Sequence, residues 1–329
     1  MRICVLGAGA VGGFIGARLA LAGVETSAVA RGATLASLRR HGWRLESAET
    51  PGGATVASAP VRATDDAAEL GVQDVVVLAV KAHAVPSALD SLAHLVGPET
   101  AVVTALNGVP WWFFEGFGGP CEGRHLDTVD PGGRIAAAVP VGRVVGCVVH
   151  VSCSTPEPGL VHHHKGTGLI LGEPDTTRSA RVQELVSLLR GADLDATLST
   201  GIQKDVWFKL WGNMTMNPVS ALTGATGDLI LDDELVMGFC HAAMREAAEI
   251  GARIGCPVDQ SPEDRSRVTR KLGVARTSML QDAQAGRRLE LDALVGSVRE
   301  IGGLLGVPTP SIDALLGLTR LSARVHGLL

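Results

Sequence analysis

The first half of the chain alternates short apolar runs with helical repeats. Strand-like runs cover residues 2–6, 24–30, 74–80 and 101–106, and a helical repeat at 85–95 separates the last two. Unbroken apolar runs of this length are typical of strands buried on both faces of a parallel sheet. The alternation of strands and helices predicts an α/β fold.

Further strands are indicated within the first 200 residues. Residues 42–62 indicate strands and turns around Pro51-Gly52-Gly53, and 144–151 and 193–197 are typical of later strands. From residue 202 onward, apolar residues recur at helical spacing. The pattern predicts an α/β domain at 1–200 and an all-helical domain at 201–329, with a substrate expected in a cleft between them.

A glycine motif links the first strand to the first helix. The strand runs into Gly7-Ala8-Gly9-Ala10-Val11-Gly12, and a helical repeat follows. This context separates G-x-G-x-x-G from an ordinary glycine-rich turn. The first glycine permits a tight turn, the second lets the backbone approach a pyrophosphate, and the third lets helix and strand pack closely. We predict an N-terminal Rossmann-type dinucleotide-binding domain whose cofactor contacts these six residues.

Arg31 follows the second strand, where such a domain meets the adenosine ribose. An acid at this place favours NAD, whereas an arginine suits the 2′-phosphate of NADP. The nearby acid, Glu25, lies at the start of the strand instead. The sequence favours NADP(H), with an ordinary surface arginine as the alternative.

Two more polar residues follow buried strands. Lys81 comes directly after 74–80, and Asn107 comes after 101–106. Ligands bind at the carboxyl edge of a parallel sheet, which both residues would share with the glycine turn. Either residue alone is more often part of a turn, but three polar features at successive strand ends predict a cofactor site.

One helix of the second half carries a polar face. Lys209, Asn213 and Asn217 recur at every fourth position, which places an ammonium and two amides on one side of a helix. A solvated surface stripe is the alternative, although asparagine is a poor residue for a helix interior. Pro218 is predicted to end this helix near Asn217.

Two stretches have several interpretations. His162, His163 and His164 suggest a metal, but neighbours on a strand point to opposite faces, so at most His162 and His164 could converge. We expect a polar-edged strand and no metal.

Residues 111–114 are four consecutive aromatics in a Gly/Pro-rich stretch. They need shelter, either as a wall over the site or in an interface.

Composition narrows the class of protein. The chain has 329 residues, 46% of them hydrophobic, and a formal charge of −5 without a basic block, so we expect no nucleic-acid partner. It has no signal peptide pattern and no apolar run near the ~20 residues of a membrane span. Six scattered cysteines fit reduced thiols in the cytoplasm. The apolar helical half is compatible with a homodimer.

The chain resembles the ketopantoate reductase (2-dehydropantoate 2-reductase) family over nearly its whole length. The motifs that carry the resemblance are Gly7-Ala-Gly-Ala-Val-Gly12, Val80-Lys81-Ala82, Asn107-Gly108, Trp207-x-Lys209-Leu210-x-x-Asn213-x-x-x-Asn217-Pro218, Ser278-Met-Leu-Gln-Asp282 with Glu290, and Gly306-Val-Pro-Thr-Pro310. Apart from the glycine motif, they are not shared widely with other dehydrogenases. The resemblance implies a Rossmann domain before a helical domain, NADPH as reductant, and ketopantoate as the 2-keto acid reduced to pantoate.

The resemblance also implies roles for individual residues. Lys209 would be the general acid that protonates the carbonyl oxygen, with Glu290 nearby to orient the substrate or Lys209. Ser278 would bind the substrate carboxylate. Asn213 and Asn217 would bind its hydroxyl or carbonyl groups.

On the cofactor side, the resemblance places Lys81 and Asn107 at the nicotinamide end, with Asn107 close to the substrate, and Arg31 at the NADP phosphate. Two positions depart from the family pattern, since Ala275 and Thr226 stand where an asparagine can occur. Both concern substrate recognition. A D-2-hydroxy acid dehydrogenase, or a reductase of another branched or aromatic 2-keto acid, is therefore an alternative. A non-catalytic NADP(H) sensor is a further one.

Overall fold

The computed structural model describes residues 1–47, 55–271 and 273–329, so the turn predicted at Pro51-Gly52-Gly53 lies outside the described residues. The chain forms two compact units. The first comprises Met1–Leu106, Glu115–Phe117 and Gly133–Ile202, and the second comprises Asn107–Phe114, Gly118–Gly132 and Gln203–Leu329. No helix in the described ranges is long and apolar enough to cross a membrane.

The first unit is built on a sheet whose strands confirm the predicted apolar runs. The strands are β1 (Ile3–Leu6), β2 (Thr26–Val29), β3 (Trp43–Ser47), β4 (Thr55–Ala59), β5 (Arg62–Thr64), β6 (Val75–Leu78), β7 (Ala101–Thr104), β8 (Val144–Glu157), β9 (Leu160–Gly172) and β10 (Asp195–Leu198). Every residue of β1, β6 and β7 is buried, as expected of strands covered on both faces.

Among the described residues, the strand order is β4-β3-β9-β8-β7-β6-β1-β2-β5, and β10 pairs with β9. The run β8-β7-β6-β1-β2-β5 is parallel throughout. The β8–β9 and β3–β4 pairs are antiparallel. Parallel neighbours have their carboxyl ends at the same edge. This edge is therefore continued by Gly7 after β1, Arg31 after β2 and Lys81 after β6.

Helices cover this sheet. They are α1 (Ala10–Leu21), α2 (Gly32–His41), α3 (Leu89–Leu95), α4 (Arg134–Ala138) and α5 (Ala180–Gly191). One apolar core joins the inner faces of α1 and α5 to the sheet, with Phe14, Val182 and Leu171 each fully buried. Burial of this continuous apolar surface is the main force that holds the strand edge in place.

The second unit is helical, as the periodicity predicts. Its helices are α6 (Ile202–Thr223), α7 (Gly227–Asp232), α8 (Glu234–Arg253), α9 (Pro262–Arg270), α10 (Ser278–Gln284), α11 (Ser297–Leu305) and α12 (Pro310–Val325), and a π-helical turn at Asp292–Gly296 precedes α11. Val219 of α6, Cys240 of α8 and Leu315 of α12 belong to one buried cluster, which fixes these helices together.

The prediction that Pro218 ends its helix is wrong. Helix α6 continues through Pro218 to Thr223. Proline removes one backbone N–H, but its fixed φ is compatible with the helix. Beyond it, Val219 and Ser220 are buried, and the hydroxyl of Ser220 donates to the carbonyl of Ala225 at 2.6 Å. Tertiary packing on the far side outweighs the loss of one helical hydrogen bond.

Candidate functional site

The turn after β1 leaves no room for side chains at its first and last glycines. Gly7 has a φ of +103°, and a Cβ there would lie 2.8 Å from the backbone nitrogen of Val80. A Cβ on Gly12 would lie 2.1 Å from the carbonyl oxygen of Gly7. These contacts match the tight turn and the close helix–strand packing that the motif predicts.

Gly9 has a different environment, because a Cβ built there would meet no atom within 4 Å. It stands just before α1, whose first turn contains no acidic residue. The first N–H groups of a helix have no acceptor within the helix, and they carry its partial positive charge. Open space beside these N–H groups fits the pyrophosphate of a dinucleotide.

Arg31 and Lys81 continue the same edge of the sheet. Arg31 is exposed and occupies the N-cap position of α2 without a side-chain capping bond, so its guanidinium and the helix end both attract an anion. Lys81 is partly buried and stands between β6 and a 3₁₀ turn at Ala82–Ala88. Their positions fit the groups of NADP(H) for which they are predicted, and those contacts stay predictions.

In the second unit, the ammonium of Lys209 is held by an amide from a distant part of the chain. Its Nζ donates a hydrogen bond to Oδ1 of Asn107 at 2.8 Å, across 102 residues of sequence. The sequence pattern predicts Asn107 at the sheet edge and Lys209 on a helix face. The structure instead places both in one unit and joins them directly. A flexible lysine side chain thereby gains a defined position.

The polar face of α6 is maintained over the whole predicted length. Lys209 and Asn213 are partly buried, and Asn217 is only 5% exposed. The apolar neighbours that anchor this helix are buried: Val206, Trp207, Leu210 and Trp211. Trp211 also donates from Nε1 to the carbonyl of Met244 at 2.7 Å. A solvated surface stripe does not account for an asparagine as buried as Asn217.

Glu290 lies just before the π-helical turn. Its backbone carbonyl accepts from the N–H of Leu294 at 3.2 Å, so Glu290 begins the helix. An acid at a helix start is usually solvated and interacts with the helix dipole. Glu290 is instead 6% exposed. Its burial distinguishes it from an ordinary first-turn acid.

The loop that carries Asn107 packs against the same helix start. The N–H of Val109 donates to the carbonyl of Ala293 at 2.9 Å. Gly108 has a φ of +84°, and a Cβ there would lie 2.3 Å from that carbonyl oxygen. Glycine is therefore required for the approach, which brings the Asn107 loop against the segment that follows Glu290.

Ser278 is the first residue of α10 and is exposed. The hydroxyl of Thr277 accepts from the N–H of Leu280 at 3.1 Å and caps this helix. Upstream, the carbonyl of Ala275 accepts from the N–H of Gly227 at 2.8 Å. The segment before Ser278 is thus fixed beside α7, and its predicted carboxylate contact stays a prediction.

The consecutive aromatics Trp111, Trp112, Phe113 and Phe114 are all buried within the chain itself. The rings of Phe113 and Phe114 meet edge to face, with centroids 5.1 Å apart, and Phe113 also lies 6.1 Å from the ring of Trp207 on α6. They therefore pack in the core of the second unit. Because they are covered, they do not form an exposed interface.

The three histidines lie on β9. The rings of His162 and His164 share one face, 4.6 Å apart, while His163 is fully buried on the other. Each has a separate partner: Glu46 for His162, the carbonyl of Gly166 for His163, and Ser154 for His164. Burial, together with its two histidine neighbours, lowers the pKa of His164. In the described ranges, no group of three or more His, Cys, Asp or Glu is arranged to hold a metal ion.

Comparison with known proteins identifies the family. Residues 3–111 match the family model "Ketopantoate reductase PanE/ApbA", and residues 201–323 match its C-terminal counterpart. A 2-dehydropantoate 2-reductase of Mesorhizobium japonicum is 45% identical over 329 residues, which cover 99% of each chain. The chain belongs to the ketopantoate reductase family.

Solved structures agree with this assignment. A Ralstonia solanacearum MolK2 protein, provisionally described as a ketopantoate reductase, is 59% identical with a TM-score of 0.94, over 100% of this chain and 99% of that one. D-Mandelate dehydrogenase in complex with NADH and anilino(oxo)acetate has a TM-score of 0.82 at 20% identity, over 100% of both chains. The second likeness shows a shared fold alone. The predicted Rossmann-type domain followed by a helical domain is confirmed.

Two features of the second unit have no signal in the local sequence pattern. One is the π-helical turn at Asp292–Gly296, which inserts a residue without disturbing the apolar repeat. The other is Glu300, whose carboxylate accepts from the N–H groups of Asp127 and Thr128, both at 2.9 Å. Both features join segments that are distant in sequence, so local periodicity does not reveal them.

Proposed function

We propose that this protein reduces 2-dehydropantoate (ketopantoate) to (R)-pantoate with NADPH, a step of pantothenate synthesis. The observation that carries the proposal is the hydrogen bond of 2.8 Å that holds the Lys209 ammonium to Asn107. It provides a positioned proton donor. The acidic residue Glu290 lies at the start of the segment that packs against the Asn107 loop. Family membership and the relative that is 45% identical support the choice of substrate.

The first unit would hold NADPH through its backbone at the pyrophosphate and through two side chains at the ends of the cofactor. The open space at Gly9 and the N-terminus of α1 would take the pyrophosphate. Arg31 would pair with the 2′-phosphate, and Lys81 with the nicotinamide end. When bound, NADPH supplies the hydride that arrives at the ketone carbon.

The second unit would supply the proton. As the π bond of the ketone breaks, its electron pair moves to oxygen, and Lys209 transfers a proton from Nζ to that oxygen. The product is an alcohol, and Lys209 regains a proton from solvent. Asn107 keeps the ammonium in place, and Glu290 orients the substrate or Lys209.

The remaining residues would bind the substrate. Ser278 would donate to the carboxylate, while Asn213 and Asn217 would bind hydroxyl or carbonyl groups from the face of α6. A hydrogen bond to an ionised group is worth more than one between neutral groups, so Ser278 would favour acids over neutral ketones.

Purified protein tests this proposal directly. It is expected to consume NADPH, measured by loss of absorbance, when ketopantoate is added, and to form (R)-pantoate, measured by chiral chromatography. Tight NADPH binding without turnover of any 2-keto acid would contradict the proposal and support the non-catalytic sensor.

Ala275 favours a second candidate, a reductase of another branched or aromatic 2-keto acid. A methyl group stands where family members often have an amide that contributes to substrate binding, so recognition of the ketopantoate hydroxyl is weakened. A panel of 2-keto acids at fixed NADPH, repeated with NADH, separates the candidates. A higher kcat/KM for an acid without a hydroxyl would support this second function.

We also propose a cytoplasmic homodimer. All six cysteines are free, as expected in a reducing compartment. On α12, Leu318, Leu321 and Val325 are 58%, 58% and 73% exposed and form one apolar stripe. A second copy whose α12 pairs antiparallel about this stripe would cover it and give the two-fold symmetry of a dimer. Light scattering should give the mass of a dimer, and Leu321→Glu should give a monomer. A monomeric parent protein would contradict the proposal.

A further inference from the structure

The helix after Glu290 opens with a π-helical turn, Asp292–Gly296. The N–H of Ser297 donates to the carbonyl of Asp292, five residues earlier. In an α-helix the same N–H would bond to the carbonyl of Ala293, four residues earlier. The π-helical turn therefore releases the carbonyl of Ala293 from the helical hydrogen bonds.

The released carbonyl of Ala293 accepts two other hydrogen bonds. The hydroxyl of Ser297 donates to it at 2.8 Å, and the N–H of Val109 donates to it at 2.9 Å. A carbonyl oxygen has two lone pairs, so both donors can be accommodated. Ser297 is fully buried, which strengthens its bond because water does not compete. The helix loses one internal bond and gains a bond to the Asn107 loop.

Gly108 makes this contact sterically feasible. Any Cβ at position 108 would lie 2.3 Å from the oxygen and 2.5 Å from the carbonyl carbon of Ala293. Its neighbour Asn107 accepts from Nζ of Lys209 at 2.8 Å. One chain of short contacts thus runs from Ser297 through Ala293 and the loop to the Lys209 ammonium.

We propose that the π-helical turn is a positioning device for the reduction. Ser297 and Gly108 hold the Asn107 loop against the segment that begins at Glu290, and so fix Lys209 relative to Glu290. The inference rests on the proposed function, which assigns Lys209 and Glu290 to one reaction. Both Ser297 and Gly108 act through Asn107, so they are positioning residues. π-Helical turns are rare and are found frequently at functional sites.

Ser297→Ala tests this role with the complete protein, NADPH and ketopantoate. We expect kcat to fall about ten-fold, because a misplacement of ~1 Å costs up to about 100-fold in rate. KM and the NADPH dissociation constant should stay within about two-fold, because binding groups are retained. Ser297→Thr restores a hydroxyl and should recover most of kcat.

Thr319 provides a matched control. Its hydroxyl also donates to a carbonyl four residues earlier, that of Leu315, at 2.8 Å, and it is 1% exposed in the regular helix α12. Thr319→Val should lower the melting temperature as Ser297→Ala does, with kcat unchanged. An equal loss of kcat in both variants would reduce Ser297 to a structural role.

Hydrogen exchange at the amide of Val109 gives a readout that does not depend on turnover. Ser297→Ala should speed this exchange about ten-fold in the protein without substrate, since the Ala293 carbonyl that accepts from Val109 loses the hydroxyl that orients it, whereas Thr319→Val should not. Unchanged Val109 exchange in Ser297→Ala would overturn the positioning role, whatever the parent protein reduces. Absence of ketopantoate turnover in the parent protein would instead overturn the proposed function.

Discussion

The two units are predicted to bind their ligands with different chemical groups, backbone at the pyrophosphate in the first unit and side chains in the second. In the first unit, the part of the candidate cofactor site assigned to the pyrophosphate is backbone, because its features are glycines without room for a Cβ, an open position at Gly9 and a helix N-terminus. In the second unit, the candidate site is made of side chains, and the bond between Lys209 and Asn107 spans 102 residues of sequence. A backbone site is encoded within one short stretch, whereas a side-chain site depends on the tertiary fold.

The largest expected effect is a loss of kcat without a loss of NADPH binding. Lys209→Ala removes the proposed proton donor, and general acids contribute about 10²–10⁴-fold to rate, so kcat should fall about 1,000-fold. The NADPH dissociation constant should be unchanged, because Lys209 is not among the residues proposed to bind the cofactor. Stopped-flow turnover and fluorescence titration of NADPH measure the two quantities. Retention of near-parental kcat would remove Lys209 from the mechanism.

The second prediction concerns the cofactor site alone. Gly9→Ala places a methyl group where no atom lies within 4 Å, so the free protein should melt as the parent does. The same methyl should block approach of the pyrophosphate and weaken NADPH binding about 100-fold, or roughly 2.7 kcal/mol. Calorimetric titration and a thermal melt measure both effects.

Gly12→Ala is the control for this position. Its Cβ would lie 2.1 Å from the carbonyl oxygen of Gly7, so it should lower the melting temperature even without cofactor. If Gly9→Ala binds NADPH as tightly as the parent protein, the open space at Gly9 does not receive the pyrophosphate.

The same contrast explains what the sequence could predict. The buried strands β1, β6 and β7 and the glycine turn were predictable, because apolar runs and glycine spacing are local signals. The bond from Lys209 to Asn107 was not, since both residues had local explanations in different elements. Pro218 was misjudged because the packing of Val219 beyond it is a tertiary effect.

Glu290 shows most directly what the sequence alone does not predict. Its sequence context is an acid at the start of a helix, which is ordinary, and the resemblance to the family was needed to select it. Burial to 6% exposure appears only in the folded chain. The π-helical turn behind it leaves no trace in the hydrophobic repeat, because Leu294, Val298 and Ile301 still fall on one buried face.

The third prediction sharpens the identity of the cofactor. Arg31→Ala removes an exposed guanidinium at the N-terminus of α2, so affinity for NADPH should fall about ten-fold, near 1.4 kcal/mol. Affinity for NADH, which lacks the 2′-phosphate, should not change. Titration of both cofactors against both proteins gives the comparison. Equal losses for the two cofactors would show that Arg31 supports the fold of the site and does not select the phosphate.

The smallest expected effect concerns the second unit, at Ala275, one of the two positions where this chain departs from its family. Ala275→Asn introduces an amide beside α7, where the carbonyl of residue 275 already accepts from Gly227 at 2.8 Å. One added hydrogen bond to the substrate hydroxyl is worth about 1 kcal/mol, so kcat/KM for ketopantoate should rise about five-fold. Trimethylpyruvate, which is ketopantoate without that hydroxyl, should show no gain. An equal change for both acids would mean that position 275 affects the shape of the second unit and does not recognise the hydroxyl. The substrate would then have to be sought among 2-keto acids without that hydroxyl.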